Sequence, residues 1–175
     1  MTRNKFRSLF YTNVFTQSKT EILITLVVQL INIDFMTGMR QTNTKFDIIF
    51  TSFALHHLTL KEKTEFFRLA NNILTDNGLL LVIDLMREPN ETLPMYLDNF
   101  CQMIRNTWLK LNEHELTACI QHVRNSDLPE TKAILSSLAE SMHFSPAVNL
   151  YHSHKLQFLS FNKKDTISKE TSVCL

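Results

Sequence analysis

The sequence predicts an α/β fold with a parallel β-α-β unit in the middle of the chain and an antiparallel β-hairpin near its end. Two apolar runs, residues 46–52 and 79–85, each have the length of one buried strand. Apolar residues recur at helical spacing between them, so the two strands should be parallel, with a right-handed crossover. Residues 147–152 and 155–161 are two short strand-like runs joined by a turn, which indicates the hairpin.

The first third of the chain is less clearly patterned. Residues 1–20 show no regular period and are predicted to be a loosely specified lead-in. Residues 21–35, EILITLVVQLINIDF, are rich in β-branched residues, which favours a strand. Ser18 and Glu21 could instead form a capping box for a helix that breaks into a short strand at INIDF, and both alternatives stay open. Residues 36–45 are predicted to be a polar connector.

The central unit has the clearest signals. Residues 46–52 form a continuous apolar run of the kind that is buried on both faces of a parallel sheet. Thr59 and Glu62 predict a capping box at the start of the following helix. That helix is expected to end at residues 76–78, with Gly78 in the left-handed cap position. Residues 79–85 then form a second fully buried strand.

Three helices are predicted before the hairpin. A long amphipathic helix covers 92–111 and a shorter one covers about 115–124. A third helix begins at Pro129 and is closed before Pro146. Residues 162–175 are polar and predicted to be a disordered tail. The domain organisation that follows is one domain over 1–161, with a helical cover at about 92–125.

Composition excludes several classes of function. The chain has 175 residues and a net charge of +1, which gives no electrostatic case for a nucleic-acid or anionic-membrane partner. The three cysteines form no CxxC pair, so a disulfide framework is not expected and a reducing, cytoplasmic location fits best. The apolar run 22–33 is shorter than the roughly 20 residues that span a bilayer. His152 and His154 lack a third ligand, so we expect no metal site.

Two segments of the central unit resemble one family. FDIIFTSFALHHL (46–58) is similar to the end of the fourth strand and the start of the next helix in class I S-adenosylmethionine-dependent methyltransferases that act on small molecules. NGLLLVIDLMR (77–87) is similar to their fifth strand, and the hairpin to the antiparallel pair that ends their sheet. INIDFM (31–36) resembles the end of their third strand. The resemblance covers roughly residues 30–161 and implies a Rossmann-like methyltransferase sheet.

The resemblance implies S-adenosylmethionine as cofactor and assigns four residues to it. Asp34 would accept a hydrogen bond from the adenine amino group, and Phe35 would pack on the base. Thr51 and Ser52 lie where backbone carbonyls of the family hold the methionine ammonium group.

Three further residues are assigned to the methyl acceptor, a small-molecule substrate. His56 would orient it or take its proton as the catalytic base. His57 and Arg87 would contact it. The alternative for His57 is a helix-entry residue packed against the sheet, and for Arg87 a solvated side chain.

One part of the family's pattern is missing. The family has a glycine-rich turn after its first strand, but this chain has only two glycines, Gly38 and Gly78. Residues 1–20 contain no glycine and are too short for two strand–helix units. The sheet is therefore predicted to be incomplete at its N-terminal side. Strand 46–52 would then have an open edge, unless part of residues 6–15 pairs with it.

Two functions remain open. The first is a methyltransferase acting on a small molecule, with the helical segment 92–125 as the substrate cover. The second is a non-catalytic, truncated methyltransferase-like protein, either a gene remnant or an interaction module. In the second case a protein partner or self-association would cover the open sheet edge. The sequence of the cover carries no recognisable code for the methyl acceptor.

Overall fold

The computed structural model describes residues 8–18 and 21–164, and the side chains of residues 32–164. In its N-terminal part, β1 (Ser8–Ser18) and β2 (Glu21–Ile31) pair antiparallel as a two-stranded sheet. The strand alternative for this segment is therefore confirmed, and the helix alternative is wrong. The expected lead-in is also wrong over 8–18, whereas residues 1–7 lie outside the described part.

A short helix follows β2. α1 (Phe35–Gln41) is capped by Asp34, whose Oδ1 accepts from the Thr37 amide at 3.0 Å. INIDFM therefore begins a helix and does not end a strand of the main sheet, since β2 stops at Ile31 and aspartate is a strong N-cap. The polar connector predicted for 36–45 is wrong over 36–41, which lie in this helix, and residues 42–45 connect it to the next strand.

The main sheet has four strands in the order β3-β4-β6-β5. They are β3 (Phe46–Ser52), β4 (Leu74–Leu85), β5 (Val148–Ser153) and β6 (Leu156–Asn162). β3 and β4 are parallel, whereas β4 with β6 and β6 with β5 are antiparallel. The predicted β-α-β unit and the closing hairpin are both confirmed.

The crossover helix α2 (Leu60–Ile73) begins with the predicted capping box of Thr59 and Glu62. It ends earlier than expected, because β4 already starts at Leu74. The residue in the left-handed region is Asn77, with φ 61°, so the prediction for Gly78 is wrong. Gly78 is needed for space instead, since a Cβ there would lie 2.8 Å from the Thr75 carbonyl oxygen.

Three helices connect β4 to the hairpin, as predicted, with shifted ends. They are α3 (Leu93–Thr107), α4 (Glu113–Ser126) and α5 (Lys132–Ser141). The third begins after its N-cap Thr131 and not at Pro129, because the Thr131 hydroxyl accepts from the Ile134 amide. None of the helices in the described ranges is long and apolar enough to span a bilayer.

The main core lies on one face of the four-stranded sheet. α1, α2 and α5 contribute to this core together with β4 and β6; among its residues with at most 1% exposure are Phe66, Phe67, Ala70, Leu80, Val82, Ala139, Leu159 and Phe161. The opposite face is open in the described part of the chain, and Ile48 and Phe50 of β3 are 55% and 51% exposed. The prediction that β3 is buried on both faces is therefore wrong, because the helices that pack on the sheet all lie on the same face of it.

The edge of β3 is also open. β1 pairs with β2, so the suggestion that residues 6–15 pair with β3 is wrong for 8–15. Within residues 8–18 and 21–164, β3 pairs with β4 alone. The predicted disordered tail lies outside the described residues from 165 onward, while Asn162 ends β6.

A second apolar cluster joins α3 to α4. Its buried members are Tyr96, Phe100, Cys101, Ile104, Ile120 and Val123, and Leu85 at the end of β4 packs against it. The α3–α4 pair therefore has its own small core and lies at the carboxyl end of β4.

Candidate functional site

Two histidines lie at the carboxyl ends of the parallel strands. After β3, the Phe53 amide donates to the Ile83 carbonyl at 2.9 Å, which turns the chain towards β4. A short 3-10 turn over Leu55–His57 follows, before α2 begins. This turn places His56 and His57 beside the end of β4.

Asp84, near the end of β4, anchors that turn. It is 1% exposed. Its Oδ2 accepts from the amides of Leu55 and His56, at 2.7 and 3.1 Å. Its Oδ1 accepts from the Leu85 amide at 2.8 Å and makes a short contact with His56 Nδ1. Three backbone amides therefore stabilise this buried carboxylate.

The contact with Asp84 determines the tautomer of His56. A carboxylate can only accept, so His56 Nδ1 carries a hydrogen, and the neutral tautomer that this contact selects has its lone pair on Nε2. The His56 side chain is buried, and its Nε2 lies 3.9 Å from Asp127 Oδ1. An imidazole held in this way by a carboxylate is oriented to accept a proton at Nε2.

Asp127 comes from the segment after α4. This segment is fixed to the turn because the Leu128 amide donates to the His56 carbonyl at 2.6 Å. The buried ammonium of Lys63 also donates to the carbonyls of Leu58 and Leu128. Asp127 is 4% exposed, and its Oδ1 has no hydrogen-bond partner among the described residues. Burial raises the pKa of Asp127, and the nearby His56 partly offsets this.

His57 lies between His56 and Asp127. Its Nδ1 is 3.2 Å from the Ser126 carbonyl oxygen and 3.4 Å from Asp127 Oδ1. Its ring centre is 3.9 Å from that of His56 and 5.3 Å from that of His122. Burial and the neighbouring His56 lower the pKa of His57, which favours its neutral form.

These side chains also form a possible metal-binding group. One ligand atom from each of His56, His57 and Asp127 lies within 4.8 Å of the others. The expectation of no metal site considered only His152 and His154, and this group was not found because Asp127 is 70 residues from His57 along the chain. Only the folding of the segment after α4 onto the turn brings the three together.

The guanidinium group of Arg87 makes hydrogen bonds and an ion pair within the chain. Its Nε donates to the Pro129 carbonyl at 2.7 Å, and its Nη1 to the Glu91 carbonyl at 2.8 Å. Its Nη2 pairs with Glu130 Oε2 at 2.6 Å. Arg87 therefore ties the exit of β4 to the segment before α5, and its contact with a substrate stays a prediction.

The residues assigned to the cofactor lie at two places. Asp34 is exposed and uses only Oδ1 to cap α1. Phe35 is buried, with its ring edge-on to Phe66 at 6.1 Å between centres. Thr51 and Ser52 are the last residues of β3, partly exposed and exposed respectively. The structure brings His56 and His57 together, while the roles of these four residues stay predictions.

Three residues near the two histidines, Asp84, Asp127 and Tyr96, were given no role from the sequence. Asp84 is the one charged residue in the run LLLVIDL, and that isolation was a usable signal. Tyr96 of α3 is fully buried, and its hydroxyl has no partner among the described residues. Burial and the nearby Asp127 raise the pKa of Tyr96, so it stays a neutral phenol. Nothing in the local sequence marks Asp127 or Tyr96, because their position depends on tertiary packing.

Comparisons with known proteins identify the fold. No protein-family model matches the sequence, and no curated protein is significantly similar to it. Solved structures do match. An O-methyltransferase family protein from Burkholderia thailandensis has a TM-score of 0.51 at 11% identity, over 75% of this chain and 33% of that one. PigF, solved with SAH, has a TM-score of 0.52 at 10% identity, over 74% and 33%.

The mitomycin 7-O-methyltransferase MmcR gives a similar result, with a TM-score of 0.50 at 11% identity over 71% of this chain and 32% of that one. This chain thus spans about a third of the length of each of these structures. At such low identity the likeness concerns the fold alone. The described part of the chain has a class I methyltransferase-like fold.

Proposed function

We propose that this protein binds S-adenosylmethionine and transfers its methyl group to a hydroxyl oxygen of a small molecule. The observation that carries the proposal is the buried His56–Asp84 pair at the carboxyl ends of two parallel strands. In open α/β sheets ligands bind at that end of the strands. The methyltransferase-like fold supports the choice of reaction, and the solved structures of similar fold include O-methyltransferases.

His56 acts as general base in this proposal. The cofactor supplies an electrophilic methyl group, and a hydroxyl becomes an adequate nucleophile when it loses its proton. His56 Nε2 takes that proton, because Nδ1 already donates to Asp84. The carboxylate of Asp84 then stabilises the imidazolium that forms, as in other histidine–carboxylate pairs.

The surroundings of His56 favour a hydroxyl-bearing acceptor. The Tyr96 hydroxyl and Asp127 Oδ1 are both buried without a hydrogen-bond partner among the described residues. A buried polar atom gains free energy when a ligand supplies the missing hydrogen bond. These two groups could therefore orient an acceptor between the α3–α4 pair and His56.

Three of the residues assigned to the cofactor differ in how well they could contact it. Asp34 is exposed, and both of its capping hydrogen bonds use Oδ1. Its Oδ2 could therefore accept a hydrogen bond from the adenine amino group. Ser52 is exposed at the end of β3, where it could face the methionine end. Phe35 is buried and offers little surface to the base. The exposed residues fit the group, and they would hold it without a glycine-rich turn.

Calorimetric titration of the full chain with S-adenosylmethionine and S-adenosylhomocysteine tests cofactor binding. Binding near micromolar, about −8 kcal/mol, is the expected result. A folded protein that gives no heat with either compound contradicts the proposal.

A methyl-transfer assay with a set of phenols and alcohols, read by mass spectrometry, tests the role of His56. His56→Gln should lower the rate by about a hundredfold or more, the usual contribution of a general base. His114→Gln is the matched control, because His114 is exposed on the first turn of α4. Equal rates for His56→Gln and the unaltered protein would remove His56 from the mechanism.

A second candidate function rests on the open side of the sheet. β3 has one described strand neighbour, and its Ile48 and Phe50 are about half exposed. Such an edge is a template for pairing with another strand. In this alternative the protein is a non-catalytic module that a partner completes. Absence of cofactor binding, together with a stable complex formed through β3, would favour it over the enzyme.

A further inference from the structure

We propose that His56, His57 and Asp127 form a binding site for a divalent transition-metal ion, with Zn²⁺ as the ion whose preferences they match best. Two imidazole nitrogens and one carboxylate oxygen are a common ligand set for Zn²⁺. The site goes beyond methyl transfer, since metal binding itself needs neither the cofactor nor an acceptor.

The distances suit a single ion. Asp127 Oδ1 lies 3.4 Å from His57 Nδ1 and 3.9 Å from His56 Nε2. At a tetrahedral ion with bonds of about 2.0–2.1 Å, neighbouring ligand atoms are roughly 3.3 Å apart. The two histidine nitrogens lie within 4.8 Å of each other. An approach of the three side chains would therefore complete three positions and leave the fourth for water.

The environment of Asp127 supports the site independently. Its Oδ1 is buried and has no hydrogen-bond partner among the described residues. An unpaired buried acceptor is unfavourable, and a coordinated cation satisfies it. Asp127 is held in place because Leu128, next to it, is tied to His56 and Lys63.

Asp84 provides the second support. It accepts the hydrogen of His56 Nδ1 and so presents the Nε2 lone pair towards Asp127. Histidines that bind metals generally donate their other ring hydrogen to a carboxylate or carbonyl in this way. Ligation by His57 Nδ1 replaces its contact with the Ser126 carbonyl, so the hydrogen of His57 then resides on Nε2.

The proposal has a consequence that rests on the proposed function. Metal ligation and proton transfer both use the Nε2 lone pair of His56, so they exclude one another. Zn²⁺ should therefore inhibit methyl transfer, and a chelator should restore it. A chelator that abolishes transfer instead would show that the reaction needs the ion, and would overturn the exclusion.

Metal binding is tested directly on the full chain after treatment with a chelator. Zn²⁺ is titrated by calorimetry against a competing chelator, and Co²⁺ is used as a spectroscopic probe of tetrahedral geometry. We expect one equivalent of Zn²⁺ to bind and Co²⁺ to give intense visible bands. Failure of the folded chain to bind Zn²⁺ overturns the proposal, and leaves cofactor binding and methyl transfer to be judged by their own assays.

Variants locate the ion. Asp127→Asn keeps the shape of the side chain and removes its charge, so it should weaken Zn²⁺ binding at least tenfold. His57→Gln should have a similar effect, and circular dichroism verifies that both variants fold. The matched control changes the exposed His152 and His154 to Gln, which should leave binding unchanged. Loss of binding in the control, or unchanged binding in both site variants, would place the ion elsewhere.

Discussion

At the scale of single residues, Asp84 determines the geometry of the whole site. Its carboxylate accepts three backbone amides and contacts the ring of His56, all within a buried environment. The chain around Asp84 therefore presents several hydrogen-bond donors, and a side chain with two acceptor oxygens is needed to accept from all of them. The same side chain fixes the backbone of the turn and the orientation of the His56 ring.

Replacement of this carboxylate should be costly. In Asp84→Asn the new amide group places its own donors against backbone donors. Hydrogen bonds to charged groups contribute about 1.5–3 kcal/mol each, so we expect a loss of about 3 kcal/mol in the free energy of unfolding, measured with urea. Asp98→Asn is the control, since Asp98 is exposed and pairs with Arg124 at the surface, where ion pairs contribute little. Equal stability of the two variants would contradict this assignment.

Lys63 should make stability depend on pH. Burial lowers its pKa from 10.5 to about 8, although the nearby Glu130 partly offsets this. The unfolded chain then binds the proton more tightly than the folded chain between about pH 8 and 10.5. The free energy of unfolding should therefore rise with pH across that interval, by up to about 3 kcal/mol in total.

The contribution of Lys63 can be isolated by comparing two variants. Lys63→Met should remove this rise. Lys61→Met, at an exposed position two residues earlier in α2, should keep it. The measurement is urea denaturation at several pH values across the interval. The free energy of unfolding could instead rise equally with pH in Lys63→Met and in the unaltered protein. That result would show that the ammonium of Lys63 stays charged in the folded chain.

At the scale of elements, the first part of β4 has little free space around Gly78. A Cβ at Gly78 would lie 2.8 Å from the Thr75 carbonyl oxygen and 2.9 Å from Leu74 Cδ2. Gly78→Ala should lower the free energy of unfolding by about 1–3 kcal/mol, as overpacking usually does. Gly38→Ala, inside α1, should instead raise it by about 0.5–1 kcal/mol through helix propensity. Urea denaturation of both variants tests this, and an unchanged free energy of unfolding in Gly78→Ala would mean that the first part of β4 relaxes to make room.

The elements differ in how far the sequence could predict them. β3, α2 and β4 were predicted because long apolar runs flank a capping box, Thr59 with Glu62. α1 was missed because its seven residues include Gly38 and cover barely two turns. β1 was missed because residues 8–18 show no regular alternation. The His56 side of the site followed from its position at a strand end, but Asp127 did not, since only tertiary contacts bring it there.

At the scale of the whole molecule, the sheet is covered on one face in the described part of the chain. The residues that β3 presents on the other face, Ile48 and Phe50, remain about half exposed. Large exposed apolar surfaces usually mark a site of association. The open edge of β3 lies beside them, so both features favour contact with another chain.

Self-association through β3 gives a direct expectation. The double variant Ile48→Lys and Phe50→Lys should shift the protein towards the monomer, because charges on an edge strand oppose pairing. Light scattering after size exclusion measures the shift. Leu109→Lys is the control, since Leu109 is 81% exposed between α3 and α4 and away from β3. A monomeric unaltered protein would remove self-association and leave a different partner to cover this surface.

The burial of His56 has a kinetic meaning. His56 is 5% exposed, with the His57 ring and the Asp127 segment packed against it. A molecule in solution therefore meets this nitrogen only during those intervals in which the surrounding segments move apart. Acylation of His56 by an imidazole-specific reagent should accordingly reach a rate that no longer increases with reagent concentration. That limiting rate is the frequency with which the protein opens.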